Sequence, residues 1–159
     1  MANISLVRID ERMIHGQVVA QWIRCIHCEK ILLVDDGVYK DEFLTKVVKM
    51  ACPSDIELEV ATIDIAAKYL LDENADSKAL MVLVRHPNTI EALVDKGVSI
   101  PKLNLGGMGL KAGRKRLYHN IAVSPEEAET FKRLAAKGVE TTIQMTPSER
   151  VIDLMKKLK

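Results

Sequence analysis

Short runs of consecutive apolar residues alternate along this chain with stretches in which apolar positions recur every three or four residues. The runs at 4–9, 30–34, 57–61, 79–84, 102–105, 120–123 and 140–144 read as strands. Ile31-Leu32-Leu33-Val34 and Leu80-Met81-Val82-Leu83-Val84 lack polar alternation, as expected of central parallel strands buried on both faces. Between them, 17–26, 40–50 and 88–96 carry helical spacing, with Phe43, Leu44, Val47 and Val48 in the second and Ile90, Leu93 and Val94 in the third. Gly97 stops the third. Ser124-Pro125-Glu126-Glu127 opens a helix that closes at Gly138, because a capping serine, a first-turn proline and a glutamate three residues on satisfy the free N–H groups. Thr146-Pro147-Ser148-Glu149 has the same form and predicts a last helix running to the basic end Lys156-Lys157-Leu158-Lys159.

Strands that alternate with helices predict an α/β fold: a single open, mainly parallel sheet of about seven strands with helices on both faces. There is no repeat, low-complexity tract or long linker, so 1–159 reads as one domain. Ligands of such sheets bind beyond the carboxyl ends of the strands. The segment from Arg8 to His15, Asp35-Asp36, Arg85-His86 and Gly106-Gly107 all fall on that edge.

Composition narrows the function. The net charge is +1, from 23 basic and 22 acidic residues, which argues against a nucleic-acid binder held by global charge; the local basic run from Lys111 to Arg116 stands apart. No apolar run is long enough to span a membrane, and Met1-Ala2-Asn3 leads straight into a strand without a signal core. The chain therefore reads as cytoplasmic. Three cysteines fit a reducing compartment.

The densest chemistry lies in Arg8-Ile9-Asp10-Glu11-Arg12-Met13-Ile14-His15-Gly16-Gln17-Val18. It sets one histidine where a strand ends and a helix begins. A helix amino terminus offers free N–H groups and a partial positive charge to an anion, and arginines bind phosphate oxygens in bidentate fashion. The arrangement suits a histidine that is itself phosphorylated. Arg8 and Arg12 are the candidates for the phosphoryl oxygens, and Asp10 for orienting an arginine or the imidazole. Gly16, Gln17, Gly106 and Gly107 are the candidates for phosphate binding. The alternatives are a non-catalytic phosphate- or nucleotide-binding α/β module and an interaction subunit in which His15 only caps a helix.

Cys25-Ile26-His27-Cys28 has too few companion ligands for a structural zinc site, and packing is the expected role. Gly107-Met108-Gly109-Leu110-Lys111-Ala112 matches a dinucleotide pattern, but a basic stretch and not an apolar helix follows it. It reads as a glycine turn near the phosphate edge. His86 and His119 read as loop residues and Trp22 and Ile26 as core.

The segment from Arg8 to Val18 resembles the active-site segment of the IIB components of the mannose/fructose/sorbose family of the bacterial sugar phosphotransferase system. Asp35-Asp36, Asn104-Leu105-Gly106-Gly107-Met108 and Val123-Ser124-Pro125-Glu126-Glu127 agree in order and position; the Cys25/Cys28 pair is a departure. The resemblance implies a protein-N(pi)-phosphohistidine–sugar phosphotransferase. His15 would take a phosphoryl group from a phosphohistidine of the IIA component and pass it to a sugar imported by the membrane IIC/IID pair. It implies no metal or other cofactor and peripheral association with the membrane through IIC/IID. The sugar, a homo-oligomeric state, and any part for Arg85 or the basic run stay open.

Overall fold

The computed structural model describes residues 2–158; Met1 and Lys159, the chain start and the far end of the expected last helix, lie outside them. The main sheet contains β1 (Asn3–Asp10), β2 (Lys30–Val34), β3 (Glu57–Ala61), β4 (Ala79–Val84), β5 (Lys102–Gly107), β8 (Glu140–Ile143) and β9 (Ile152–Asp153). β6 (Lys115–Tyr118) and β7 (Ile121–Val123) form a separate antiparallel hairpin. The helices are α1 (Gly16–Cys25), α2 (Asp36–Lys40), α3 (Glu42–Ala51), α4 (Ile63–Leu71), α5 (Pro87–Asp95), α6 (Pro125–Ala136) and α7 (Leu154–Lys157).

The sheet order is β3-β2-β4-β1-β5-β8-β9. Every ladder is parallel except that between β8 and β9. The connections β1→β2 and β2→β3 move one way along the sheet, and β3→β4, β4→β5 and β5→β8 move the other. Right-handed crossovers must then put α1 and α3 on one face and α4, α5 and α6 on the opposite face. The core divides accordingly. One cluster joins Ile31, Leu33, Met81 and Leu83 to Val18, Trp22 and Val48. The other joins Leu32, Val82, Leu103 and Leu105 to Leu70, Leu93 and Phe131. The chain leaves β1 on one face and leaves its neighbours β4 and β5 on the other. A crevice therefore opens above the carboxyl end of β1.

Two expectations are corrected. Residues 120–123 contribute a strand, but to the hairpin; the main sheet takes β9 in their place. The last helix does not begin at Pro147. Glu149 caps Thr146, its carboxylate accepting the Thr146 N–H at 3.0 Å, but this closes a turn only. Beyond it Ile152 pairs with Ile143, because the edge of β8 needs a hydrogen-bonding partner. Helix α7 starts after that pairing, with Asp153 accepting from the Met155 N–H.

Candidate functional site

The alternation of β1 sends Val7 and Ile9 into one core cluster. Arg8 and Asp10 thus point to the face that carries α1. Both are buried. Arg8 Nη1 donates to Asn104 Oδ1 at 2.5 Å and to the Gln144 carbonyl at 3.2 Å. Its Nη2 donates to Asp10 Oδ2 at 3.2 Å and to the Met145 carbonyl at 3.0 Å. The Trp22 ring lies over the guanidinium, 5.4 Å from centroid to Cζ, and its Nε1 donates to the same Met145 carbonyl. At 1% exposure this guanidinium is fully engaged inside the protein. The expectation that Arg8 contacts a phosphoryl group is corrected: it ties β1, β5, α1 and the segment after β8 together.

Gly106 and Gly107 are corrected with it. Both are buried in β5. A Cβ on Gly106 would fall inside the Arg8 guanidinium, and one on Gly107 inside the Asp10 carboxylate. The glycines make room for two charged side chains; they do not line an open phosphate edge. Gly106→Ala is expected to lower unfolding stability by about 2 kcal/mol or more, in the range of overpacked cores. Chemical denaturation measures it, and a wild-type midpoint would refute the packing argument.

Asp10 is the second hub. It accepts the Arg12 backbone N–H at 3.0 Å, and it holds the Arg12 side chain through Nε at 2.9 Å and Nη2 at 2.8 Å. Burial alone would raise its carboxyl, but bonds and charges from Arg12 and Arg8 outweigh burial and hold it below the ordinary value. The ionised form is therefore favoured by folding. Its contribution is complete above the unfolded carboxyl range, near pH 4, and is lost as pH falls through the lower folded value. Asp10→Asn should thus flatten the fall of stability with pH below about 4, as measured by denaturation at a series of pH values. An unchanged slope would exclude Asp10 from that linkage.

The bidentate clamp fixes Arg12 while leaving its side chain partly exposed. The Met13 N–H donates back to the Asp10 carbonyl at 3.0 Å, and Met13 takes a left-handed φ of 63°, a conformation costly for a residue with a side chain. Ile14 then drops into the core, so His15 emerges on the surface. His15 is the N-cap of α1, and its carbonyl accepts from Val19. Its imidazole makes no capping bond, and no acidic residue stands in the first turn. The amino end of α1, with exposed Gly16 and Gln17, thus keeps its positive character for an anion.

Glu11, unassigned by the sequence reading, anchors the other side of the loop. Its carboxylate accepts the Gly109 N–H at 3.1 Å and pairs with Arg114. Arg114 also pairs with Glu127 at 2.8 Å, and Glu127 completes a capping box with Ser124. The basic run is therefore not one solvated patch: Arg114 is buried and Lys111 exposed. Asp35 accepts from Val38 N–H at 2.9 Å and Asp36 from Ile63 N–H at 2.8 Å, so the double aspartate serves caps and ties. Burial, then the Arg85 charge, holds His86 below the ordinary histidine value. Cys25 is exposed and Cys28 buried, and Cys28 Sγ lies 3.4 Å from the Lys30 carbonyl.

Residues 4–159 match the family model of the phosphotransferase-system sorbose subfamily IIB component. The chain belongs to this family. It is therefore a phosphotransferase subunit of a sugar phosphotransferase system. It is 29% identical to the fructose-specific EIIB component of Bacillus subtilis over 159 residues, covering 100% of this chain and 98% of that protein. It is 28% identical to the mannose-specific EIIAB component of Escherichia coli over 158 residues, 98% of this chain but 49% of that longer protein. The crystal structure of the IIB domain of the sorbose permease from Klebsiella pneumoniae superposes with a TM-score of 0.93 at 27% identity, covering 98% of this chain and 96% of that one. This sorbose-subfamily IIB component thus has the mainly parallel α/β fold expected from its pattern, and no helix among its described residues is long and apolar enough to cross a membrane.

Proposed function

We propose that His15 is the phosphoryl carrier of this IIB component. It receives the group from a phosphohistidine of a IIA partner and delivers it to a sugar at the membrane IIC/IID pair. The observation that carries this reading is the exposed His15 at the uncapped amino end of α1, three residues after an arginine that Asp10 pins in place.

A lone pair on the neutral imidazole forms the new P–N bond as the donor's P–N bond breaks and its electron pair returns to the donor ring. The transferring group needs alignment and positive charge around its equatorial oxygens. Arg12 supplies a positioned side-chain charge, and the N–H groups of Gly16 and Gln17 supply the helix-end donors. Asp10 and Arg8 position Arg12 from below. The domain is the single unit 1–159, working in the cytoplasm and meeting the membrane through IIC/IID. The name of the Escherichia coli EIIAB relative pairs a IIA with a IIB function, which supports IIA as the donor here.

Incubation with phosphorylated IIA and intact-mass measurement tests the carrier. One added phosphoryl group, lost in acid because the P–N bond is acid-labile, is expected; no mass gain favours the non-catalytic phosphate-binding module. Arg12→Ala should slow transfer at least tenfold, as loss of one preorganised donor to a transition state does. Because the Asp10 carboxylate it leaves is buried, stability should fall as well, by about 1–3 kcal/mol, so transfer is compared on protein shown to be folded. Transfer at the wild-type rate, followed by rapid quench, would remove Arg12 from the site.

A further inference from the structure

Four arginines stand around the carboxyl end of β1, and three of them are spent. Arg8 is engaged inside the protein, Arg12 is clamped by Asp10, and Arg114 is held by Glu11 and Glu127. The fourth, Arg85, makes no hydrogen bond among the described residues. Its contact there is an ion pair with Asp35, at 4.0 Å between Nη1 and Oδ1, too long for a hydrogen bond. That Asp35 oxygen already accepts the Val38 N–H at 2.9 Å. The Arg85 Nε is buried with no partner, and a buried donor of this kind costs free energy until something accepts from it.

The topology places Arg85 under His15. Val84 pairs with Ile9 of β1 and with Val34 of β2, so Arg85, one residue on, stands level with Asp10 on one side and Asp35 on the other. Leu83 belongs to the core cluster that holds α1, and Val84 to the opposite cluster. Strand alternation therefore turns Arg85 to the face that carries α1, as it does Arg8 and Asp10. β4 lies between β1 and β2, so the α1 crossover passes above β4, and Val18 of α1 clusters with Met81 and Leu83. The amino end of α1, with His15, thus stands over the carboxyl end of β4. A phosphoryl group on His15 brings oxygens to a guanidinium whose fork is open, and arginine binds such oxygens in bidentate fashion. Resting on the carrier role proposed above, we infer that Arg85 is a second arginine of the phosphoryl site. It leaves its loose pair with Asp35 and donates to the equatorial oxygens from the β4 side, while Arg12 does so from the β1 side. No covalent bond to Arg85 forms or breaks.

Two measurements test this. The first is the nitrogen NMR signal of the Arg85 Nε–H in the wild-type protein, assigned by its loss in Arg85→Gln. Phosphorylation by phospho-IIA should shift it, while the signal of Arg24, exposed in the last turn of α1, stays in place. The second is the rate of phosphoryl uptake from phospho-IIA by rapid quench, on variants shown by thermal unfolding to be folded. Arg85→Gln should slow uptake at least tenfold, as for loss of one preorganised donor. Arg85→Lys keeps the charge without the fork and should recover part of that loss. Arg24→Gln, which removes the same charge at the far end of α1, should stay within about twofold of wild type. Uptake by Arg85→Gln at the wild-type rate overturns the inference. So does an Arg85 signal that does not move on phosphorylation, since a slow variant would then report structure alone. Wild-type protein that takes no phosphoryl group counts against the carrier role. Inorganic phosphate added to the unphosphorylated protein then still reads the arginine: a shift of the Arg85 signal supports its binding phosphoryl oxygens, and a fixed signal overturns it.

Discussion

Replacing His15 by alanine or glutamine should abolish phosphoryl acceptance and leave the fold intact. His15 is exposed, and its imidazole does not cap α1. The segment is held on either side by groups that the substitution does not touch: Ile14 in the core before it and Val18 after it. Stability should therefore change by no more than about 0.5 kcal/mol, as at other surface positions free of special features. The kinetic loss should be complete, because no other histidine in the chain stands at the amino end of α1: His27 pairs with Glu29, His86 stands at the start of α5 and His119 follows β6. Intact-mass measurement after incubation with phosphorylated donor checks it. A folded His15→Ala protein that gains a phosphoryl group would place the acceptor elsewhere.

Arg8→Met should produce the largest stability loss among the charged residues of this segment. The methionine roughly keeps the aliphatic stem but deletes a guanidinium with four donor contacts. Asn104 and the carbonyls of Gln144 and Met145 lose a donor in a buried setting, and Asp10 loses one of its two cationic partners. Removing one member of a buried charged network costs about 3–5 kcal/mol. Because Asn104 still reaches the Gln144 carbonyl and Arg12 still holds Asp10, the lower end of that range is expected. Denaturant unfolding measures it. A loss under about 1 kcal/mol would mean that Arg8 sits at the surface after all, since that is the scale of exposed pairs.

That contrast shows where the sequence stops being informative. β2 and β4 were readable because parallel strands covered on both faces leave no polar position to confuse the pattern. The α6 capping box was readable because its partners are three residues apart. The helix α4 is not singled out, since Ile63, Ile65, Ala66, Ala67, Leu70 and Leu71 are apolar around most of its circumference. α2 is too short to show a period. Thr146 to Glu149 does form the local bonds its residue types suggest; what the chain does next depends on a strand edge that local pattern does not describe. At the candidate site, the strand-to-helix junction that carries His15 was legible because its setting is local. Arg8 was legible as part of that segment, but its burial was not. Its burial depends on Asn104, 96 positions away, and on backbone carbonyls after β8. Glu11 lay inside the same segment, yet its partner Arg114 sits in a basic run far along the chain.

The exclusion of side chains at Gly106 and Gly107 by Arg8 and Asp10 also constrains how sequences of this kind can be recombined. The members of each pair come from opposite halves of the chain, so a crossover between residues 11 and 105 separates both pairs at once. A chimera made there accommodates the arginine and the aspartate only if the incoming half brings glycine to both positions. The carbonyls of Gln144 and Met145 make no such demand, because any residue supplies one. Crossovers after residue 107 inherit both pairs together and leave the floor beneath the His15 loop undisturbed.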